Sequence, residues 1–192
     1  MSTPEPDYDF RPLTETDLPL IRQWLLEPHV RRWWADPPRE TYPDDELDKY
    51  RQRVRGEGDP TDIFFIRHRG RPIGFIQSYR IDDYDEYGRA LSLEVPSAGI
   101  DLFIGEPSLI GKGHGAPLIR AFLRDVVFAR YDVAECVIGP SVKNTSAIRA
   151  YEKAGFRFFR DAQVPDEPDP EHLMRIRRDD VLPTPPPLQA PR

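Results

Sequence analysis

"IGKGHGAPLIRAFL", residues 110–123, runs from a glycine-rich turn straight into an apolar helix pattern. Three glycines alternate with Lys112 and His114, and an apolar helical pattern then begins. Glycines ahead of a helix let the backbone approach an anion with no Cβ in the way. The free N–H groups and the dipole of the helix start then favour a phosphate. "GKGHGA" fits the G-x-G-x-x-A of a dinucleotide site, but that site needs an acidic residue closing the next strand. Here the next strand, "AECVIG" (134–139), ends in glycine. No G-K-[ST] follows, so a Walker A loop is excluded. From the loop alone, a plain glycine-rich turn remains the alternative.

The flanking chain fits one α/β domain. "YDFRPL" (8–13) reads as a strand, and Thr16 is expected to cap a helix over "DLPLIRQWLLE" with Leu18, Ile21, Trp24 and Leu25 on one face. "PHVRRWWADPP" follows, then a polar helix within "DDELDKYRQRV". Residues 62–81 read as two strands around "RHRGRP", and residues 82–97 as a long acidic, tyrosine-bearing loop. "GIDLFIG" (99–105) is a strand leading into the glycine loop. A helix is expected over about 113–129 with Leu118, Ile119, Phe122, Leu123, Val126 and Val127 inward. "NTSAIRAYEKAG" (144–155) is a helix closed by Gly155, and residues 156–178 a final hairpin. The expected boundaries are a flexible stretch over 1–7, one domain over 8–180, and a Pro-rich tail over 181–192.

Composition narrows the partners. The chain has 192 residues, a formal net charge of -6, one cysteine and 39% hydrophobic residues. An acidic protein argues against nucleic acid as partner and suits a cationic small molecule. No apolar run approaches the 18 residues of a membrane span. With a single cysteine and no signal-like N-terminus, a cytoplasmic setting is expected. Cys136 sits in an apolar strand as inert core. His29, His68, His114 and His172 are scattered without ligand spacing, so no metal is expected.

The second motif, "SVKNTSAIRAYEKAGF" (141–156), joins the strand–glycine loop–helix before it. Together they resemble the GNAT N-acetyltransferase superfamily. That resemblance implies a mixed, mostly antiparallel central sheet flanked by helices, and acetyl-CoA as the donor. It implies pyrophosphate contacts from Gly111, Lys112, Gly113, His114, Gly115 and Ala116, although Ile110 stands where the family often has Gln or Arg. It implies that the pantetheine arm runs along Asp101 to Ile104, past Leu102 and Phe103, and meets Asn144 and Ala147. Tyr151 would sit near the sulfur and Lys153 near the cofactor edge. Asn144 also reads as a helix N-cap, and Tyr151 as a core tyrosine.

"LIRQWLLEPHVRRWW", "GRPIGFIQSY" and "GIDLFIGE" resemble the aminoglycoside 6′-N-acetyltransferases, and also the siderophore-type lysine N-acyltransferases, over roughly residues 9–178. The aminoglycoside enzymes carry an aspartate inside the "GIDLF" strand, where the siderophore group tends to histidine; this chain has Asp101. The chemistry needs such a group. A lysine-like ammonium, pKa near 10.4, loses its proton at a cost of about 4.6 kcal/mol at pH 7. Asp101 would bind the cation and take or relay the proton, and Tyr151 would protonate the leaving thiolate. Asp82, Asp83 and Glu94, with Asp85 and Glu86, are the candidate carboxylates for further positive charges. Trp33, Trp34 and Tyr79 are the candidate surfaces for sugar rings. One position departs from the pattern: the aminoglycoside family has an aspartate before the Pro-Ser, and this chain has Gly139. The reading is therefore an acetyltransferase acting on a polycationic amine, most simply an aminoglycoside, working as a monomer or homodimer. The alternatives are a lysine or hydroxylysine N-acyltransferase and a non-catalytic CoA-binding module.

Overall fold

The structure, a computed structural model, describes residues 7–35, 38–165 and 167–182. The expectations for residues 1–6 and 183–192 lie outside the described residues. In chain order the elements are β1 (Tyr8–Pro12), α1 (Leu18–Leu26), α2 (Pro28–Trp34), α3 (Asp44–Arg55), β2 (Asp62–His68), β3 (Arg71–Arg80) and α4 (Asp85–Leu91). Then follow β4 (Ser97–Ile104), α5 (Gly115–Phe122), α6 (Phe128–Arg130), β5 (Glu135–Ile138), α7 (Thr145–Ala154), β6 (Arg157–Ala162), β7 (Glu171–Arg177) and α8 (Arg178–Val181).

The described strands form one seven-stranded sheet in the order β1-β2-β3-β4-β5-β7-β6. Every neighbouring pair is antiparallel except β4 and β5, which run parallel. That is the mixed, mostly antiparallel sheet expected from the sequence. Strand alternation divides the core into two layers. Ile76, Ile100, Cys136 and Ile138 face α5 and α7 and meet Leu118, Phe122 and Tyr151. Phe65, Phe75 and Phe103 face the other way, against Trp24 and Leu25 of α1 and Tyr50 of α3. Cys136 is fully buried in the first layer.

Three local expectations are corrected. Thr14, not Thr16, begins the first helical turn: the Asp17 carboxylate turns back and accepts from both the N–H and the hydroxyl of Thr14, at 2.8 and 2.7 Å. The acidic stretch is not a loop throughout. It forms a 3-10 turn at Ile81–Asp83 and then α4, anchored by buried Ile81 and Leu91. Asp85 and Glu86 occupy its first turn, where the helix dipole favours negative charge. The long helix starts at Gly115 and passes through a π-helical segment, Leu123–Val127, into α6.

Candidate active site

The sheet opens where its one parallel pair lies. β4 and β5 are in register only at Ser97–Glu135, Ala98–Cys136 and Gly99–Val137. β4 continues to Ile104 paired with β3 alone, and the short β5 ends at Ile138. Beyond Gly99, the side of β4 that faces β5 therefore has no ladder partner. A cleft of about 500 Å3 fills this divergence. Its walls include Asp101 and Leu102 of β4, Ile138 and Gly139 after β5, Asn144 and Tyr151 of the α7 region, and Glu171 of β7. Trp33, Trp34 and Tyr79 complete the wall toward α2 and β3.

Asp101 is held from behind. It faces Gln77 across the β3–β4 ladder, and the Gln77 amide donates to its Oδ2 at 2.8 Å. The Gln77 carbonyl in turn accepts from Arg53 at 2.9 Å. Arg53 also forks onto Asp59, at 2.9 and 2.8 Å. Burial works to raise the Asp59 carboxyl, but the hydrogen bonds from Arg53, Thr61 and Tyr84 outweigh it and hold it at about 2. Burial raises the Asp101 carboxyl above its ordinary value, against the opposing pull of Gln77, Arg53 and Tyr79. The result is a carboxylate with heightened proton affinity facing the cleft, as a proton acceptor requires.

A second carboxylate, which the sequence reading did not single out, shares the cleft. Glu171 begins β7 and receives a hydrogen bond from Tyr87 of α4 at 3.1 Å. Burial first, and then the nearby Asp101 charge, push it up to about 8. Tyr151 is buried, and desolvation with the Asp101 charge raises its phenol well above the usual range. It therefore keeps its proton at neutral pH and remains a donor.

The predicted positions divide accordingly. Asp101, Leu102, Asn144, Tyr151, Trp33, Trp34 and Tyr79 line the cleft. Asn144 is also the helix cap: its Oδ1 accepts from the Ala147 N–H at 3.2 Å. Ala147 and Ile104 pack on the α5–α7 layer of the core. Phe103 is a correction, because it faces the opposite layer, stacked on Phe75 at 5.4 Å, so only its backbone is turned toward the divergence. Asp82, Asp83 and Glu94 are corrections too. All three are exposed, none is among the residues lining the cleft, and Asp82 pairs with Arg80 at 3.2 Å. Lys153 is exposed and outside the cleft.

The glycine loop forms a separate feature at the start of α5. Gly111 and Gly113 have φ of 72° and 86°, and a Cβ at either would meet open space. The geometry, not crowding, selects glycine there. α5 has no side-chain cap. The N–H groups of Gly115 and Ala116 stand at its head, and Pro117 has none to offer. The His114 ring turns away, with Nδ1 2.7 Å from the Tyr8 hydroxyl, so only its backbone is available to the loop. An uncapped helix start behind positive-φ glycines fits a pyrophosphate. The unpaired edge of β4 fits the amides of an extended arm. Among the described residues no group of three or more His, Cys, Asp or Glu could hold a metal ion, and no helix is long and apolar enough to cross a membrane.

Comparison with known proteins agrees with this geometry. Residues 14–164 match the acetyltransferase (GNAT) domain family. The aminoglycoside N(6′)-acetyltransferase type 1 of Klebsiella pneumoniae is 31% identical over 158 residues, covering 82% of this chain and 78% of that protein. A kanamycin resistance protein of Rhizobium radiobacter is 40% identical over 70 residues, 36% of this chain and 64% of that one. Among solved structures, AAC(6′)-Ib with ribostamycin and coenzyme A superposes with a TM-score of 0.76 at 29% identity, covering 91% of this chain and 96% of the other.

Proposed function

The chain belongs to the GNAT acetyltransferase family, and from that premise we propose that it transfers an acetyl group from acetyl-CoA to a primary amine of a polycationic sugar, the 6′-amine of an aminoglycoside. The observation that carries the substrate class is Asp101, a carboxylate of raised proton affinity on the wall of the cleft. Acetyl-CoA supplies an activated thioester carbonyl to the amine.

The chain's own residues do the rest. The N–H groups of Gly111 and of residues 113–116 hold the pyrophosphate, while the Lys112 N–H is held by the Leu109 carbonyl at 3.3 Å and its side chain adds charge. Leu102, Ile104, Asn144 and Ala147 and the open edge of β4 guide the pantetheine arm into the divergence. The ammonium first pairs with the Asp101 carboxylate, which then takes its proton, directly or through water, and frees the nitrogen lone pair for attack. The Tyr151 hydroxyl gives its proton to the departing sulfur. Trp33, Trp34 and Tyr79 supply flat surfaces for sugar rings. On this reading residues 8–180 are one catalytic domain. It works in the cytoplasm on a small cation, not on nucleic acid or membrane, as a monomer or homodimer.

The test is release of CoA thiol with kanamycin, lysine derivatives and polyamines as acceptors, for the wild type and Asp101→Asn. Kanamycin is expected to react best. The variant should lose at least about a hundredfold in kcat/KM, roughly 2.7 kcal/mol, with acetyl-CoA binding nearly unchanged. Wild-type kcat/KM in Asp101→Asn at neutral pH would remove Asp101 from the mechanism. Faster reaction with a lysine derivative would move the substrate to the siderophore class.

A further inference from the structure

Gly139 leaves a gap in side chains that another strand fills. A Cβ built on Gly139 would lie 2.0 Å from Oε2 and 2.6 Å from Cδ of Glu171. The Glu171 carboxylate therefore occupies the space that any side chain at 139 would need. The backbone fixes this approach. Ser141 bridges Glu171, and the His172 N–H donates to the Pro140 carbonyl at 2.7 Å. The residue that appears in sequence as a lost carboxylate is thus a cradle for one arriving from β7.

The charges in the cleft point to what this carboxylate receives. Each Lys and Arg lining it is already paired: Arg39 with Asp45 and Glu46, Lys49 with Glu46, Arg53 with Asp59. Among the described residues, neither Asp101 nor Glu171 has a Lys or Arg in ion-pair contact. The two carboxylates also point to different places. Asp101 is drawn toward β3 by Gln77, whereas Glu171 lies over the end of β5, and β5 separates their strands. Two strand spacings are roughly 10 Å at the backbone, so the two carboxylates reach the cleft from separate walls.

We propose that Glu171 binds a second ammonium group of the substrate while Asp101 holds the reacting one, so that the site selects amines with at least two positive charges. This rests on the acetyltransferase reading above. The groups facing Glu171 are Tyr87 of α4, Tyr79 of β3, Asp101 of β4 and Glu167 in the β6–β7 connection. None is a cation, and a bound ammonium supplies the missing counter-charge. The raised proton affinity of Glu171 is the mark of that unmet demand.

The experiment compares kanamycin with the monoamine 6-amino-6-deoxyglucose as acceptors. For Glu171→Gln, which keeps the shape and the hydrogen bond from Tyr87, KM for kanamycin should rise at least about tenfold with kcat little changed. KM for the monoamine and for acetyl-CoA should stay as in the wild type. A reciprocal pair guards against misfolding. Gly139→Asp alone should lose activity through its clash with Glu171, whereas Gly139→Asp with Glu171→Ala should bring the kanamycin KM back toward wild type. If the wild type acetylates kanamycin and Glu171→Gln leaves that KM unchanged, this inference is overturned and the function stands. If the wild type releases no thiol with either amine, the function itself falls.

Discussion

Glu171→Gln should make the protein more stable while weakening its grip on substrate, and the size of the effect follows from the pKa. In the fold, burial and Asp101 hold Glu171 at about 8, against 4.5 for an ordinary glutamate. Tyr79, Tyr87 and Glu167 are the other titratable groups around it, and none opposes the shift with positive charge. Between those two values the folded chain keeps a proton that the unfolded chain has released. Stability therefore falls as pH rises through this window, by about 1.4 kcal/mol per pH unit. From 4.5 to 8 that amounts to about 4–5 kcal/mol for a fully shielded group, and water reaching this half-buried side chain reduces it to about 1–2 kcal/mol. Glutamine cannot ionise and escapes the penalty. At about 2–4 °C per kcal/mol for a chain of this size, the variant should melt roughly 5 °C above wild type at pH 8. As the pH falls below 4.5, both states become protonated and the two melting temperatures should converge. The assay is thermal unfolding by circular dichroism at the two pH values, with no ligand present. A variant no more stable than wild type at pH 8 would refute the electrostatic argument. An equal gain at both pH values would show that packing, not charge, is responsible.

Two further substitutions test the other parts of the site. Tyr151→Phe removes only the hydroxyl, so kcat should drop on the order of 10²–10⁴ with little change in acetyl-CoA affinity; an unchanged kcat would make Tyr151 a packing residue. Gly113→Asp puts a charged side chain on a backbone at φ of 86°. It should abolish the rise in melting temperature that CoA gives the wild type, and cost the apo fold about 1–2 kcal/mol through the left-handed conformation. Retained stabilisation by CoA would place the pyrophosphate elsewhere.

Much of this site was legible because its parts are local. Asp101 stands out as a carboxylate inside an apolar strand run, where strand propensity disfavours it. Asn144 is followed at once by the helix it caps. The glycine loop and its helix are contiguous. What the sequence hid is long-range. Glu171 follows Gly139 by more than thirty residues, and nothing local distinguishes it from any acidic residue at a strand start. The available signal was the pairing of a glycine at the end of one core strand with a carboxylate at the head of a later one. Arg53 and Gln77 were missed for the same reason: an arginine on a polar helix reads as solvated until the sheet is assembled beside it. The acidic stretch after β3 misled in the opposite direction. Its density of charge suggested the substrate surface, but Ile81 and Leu91 anchor it as a short helix with the acids turned to water.

The chain Asp59–Arg53–Gln77–Asp101 explains how an arginine can serve a cation-binding site without occupying it. A direct Arg53–Asp101 pair would satisfy the carboxylate and leave the incoming ammonium nothing to neutralise. Here the guanidinium is committed to Asp59 through two of its nitrogens, and reaches Asp101 only through a neutral amide. Because the Gln77 oxygen must accept from Arg53, its NH2 group must point at Asp101; the amide can adopt no other orientation without setting donor against donor. Orientation is passed along the chain while formal charge is not. Asp101 is fixed at one oxygen and keeps its negative charge for substrate. Glu171 reaches the same condition by a different route, through a tyrosine donor and a glycine cradle. Both carboxylates are positioned by neutral donors, in a cleft whose cations are all engaged elsewhere. That arrangement leaves the negative charge of the cleft unmatched from within and available to a polycation.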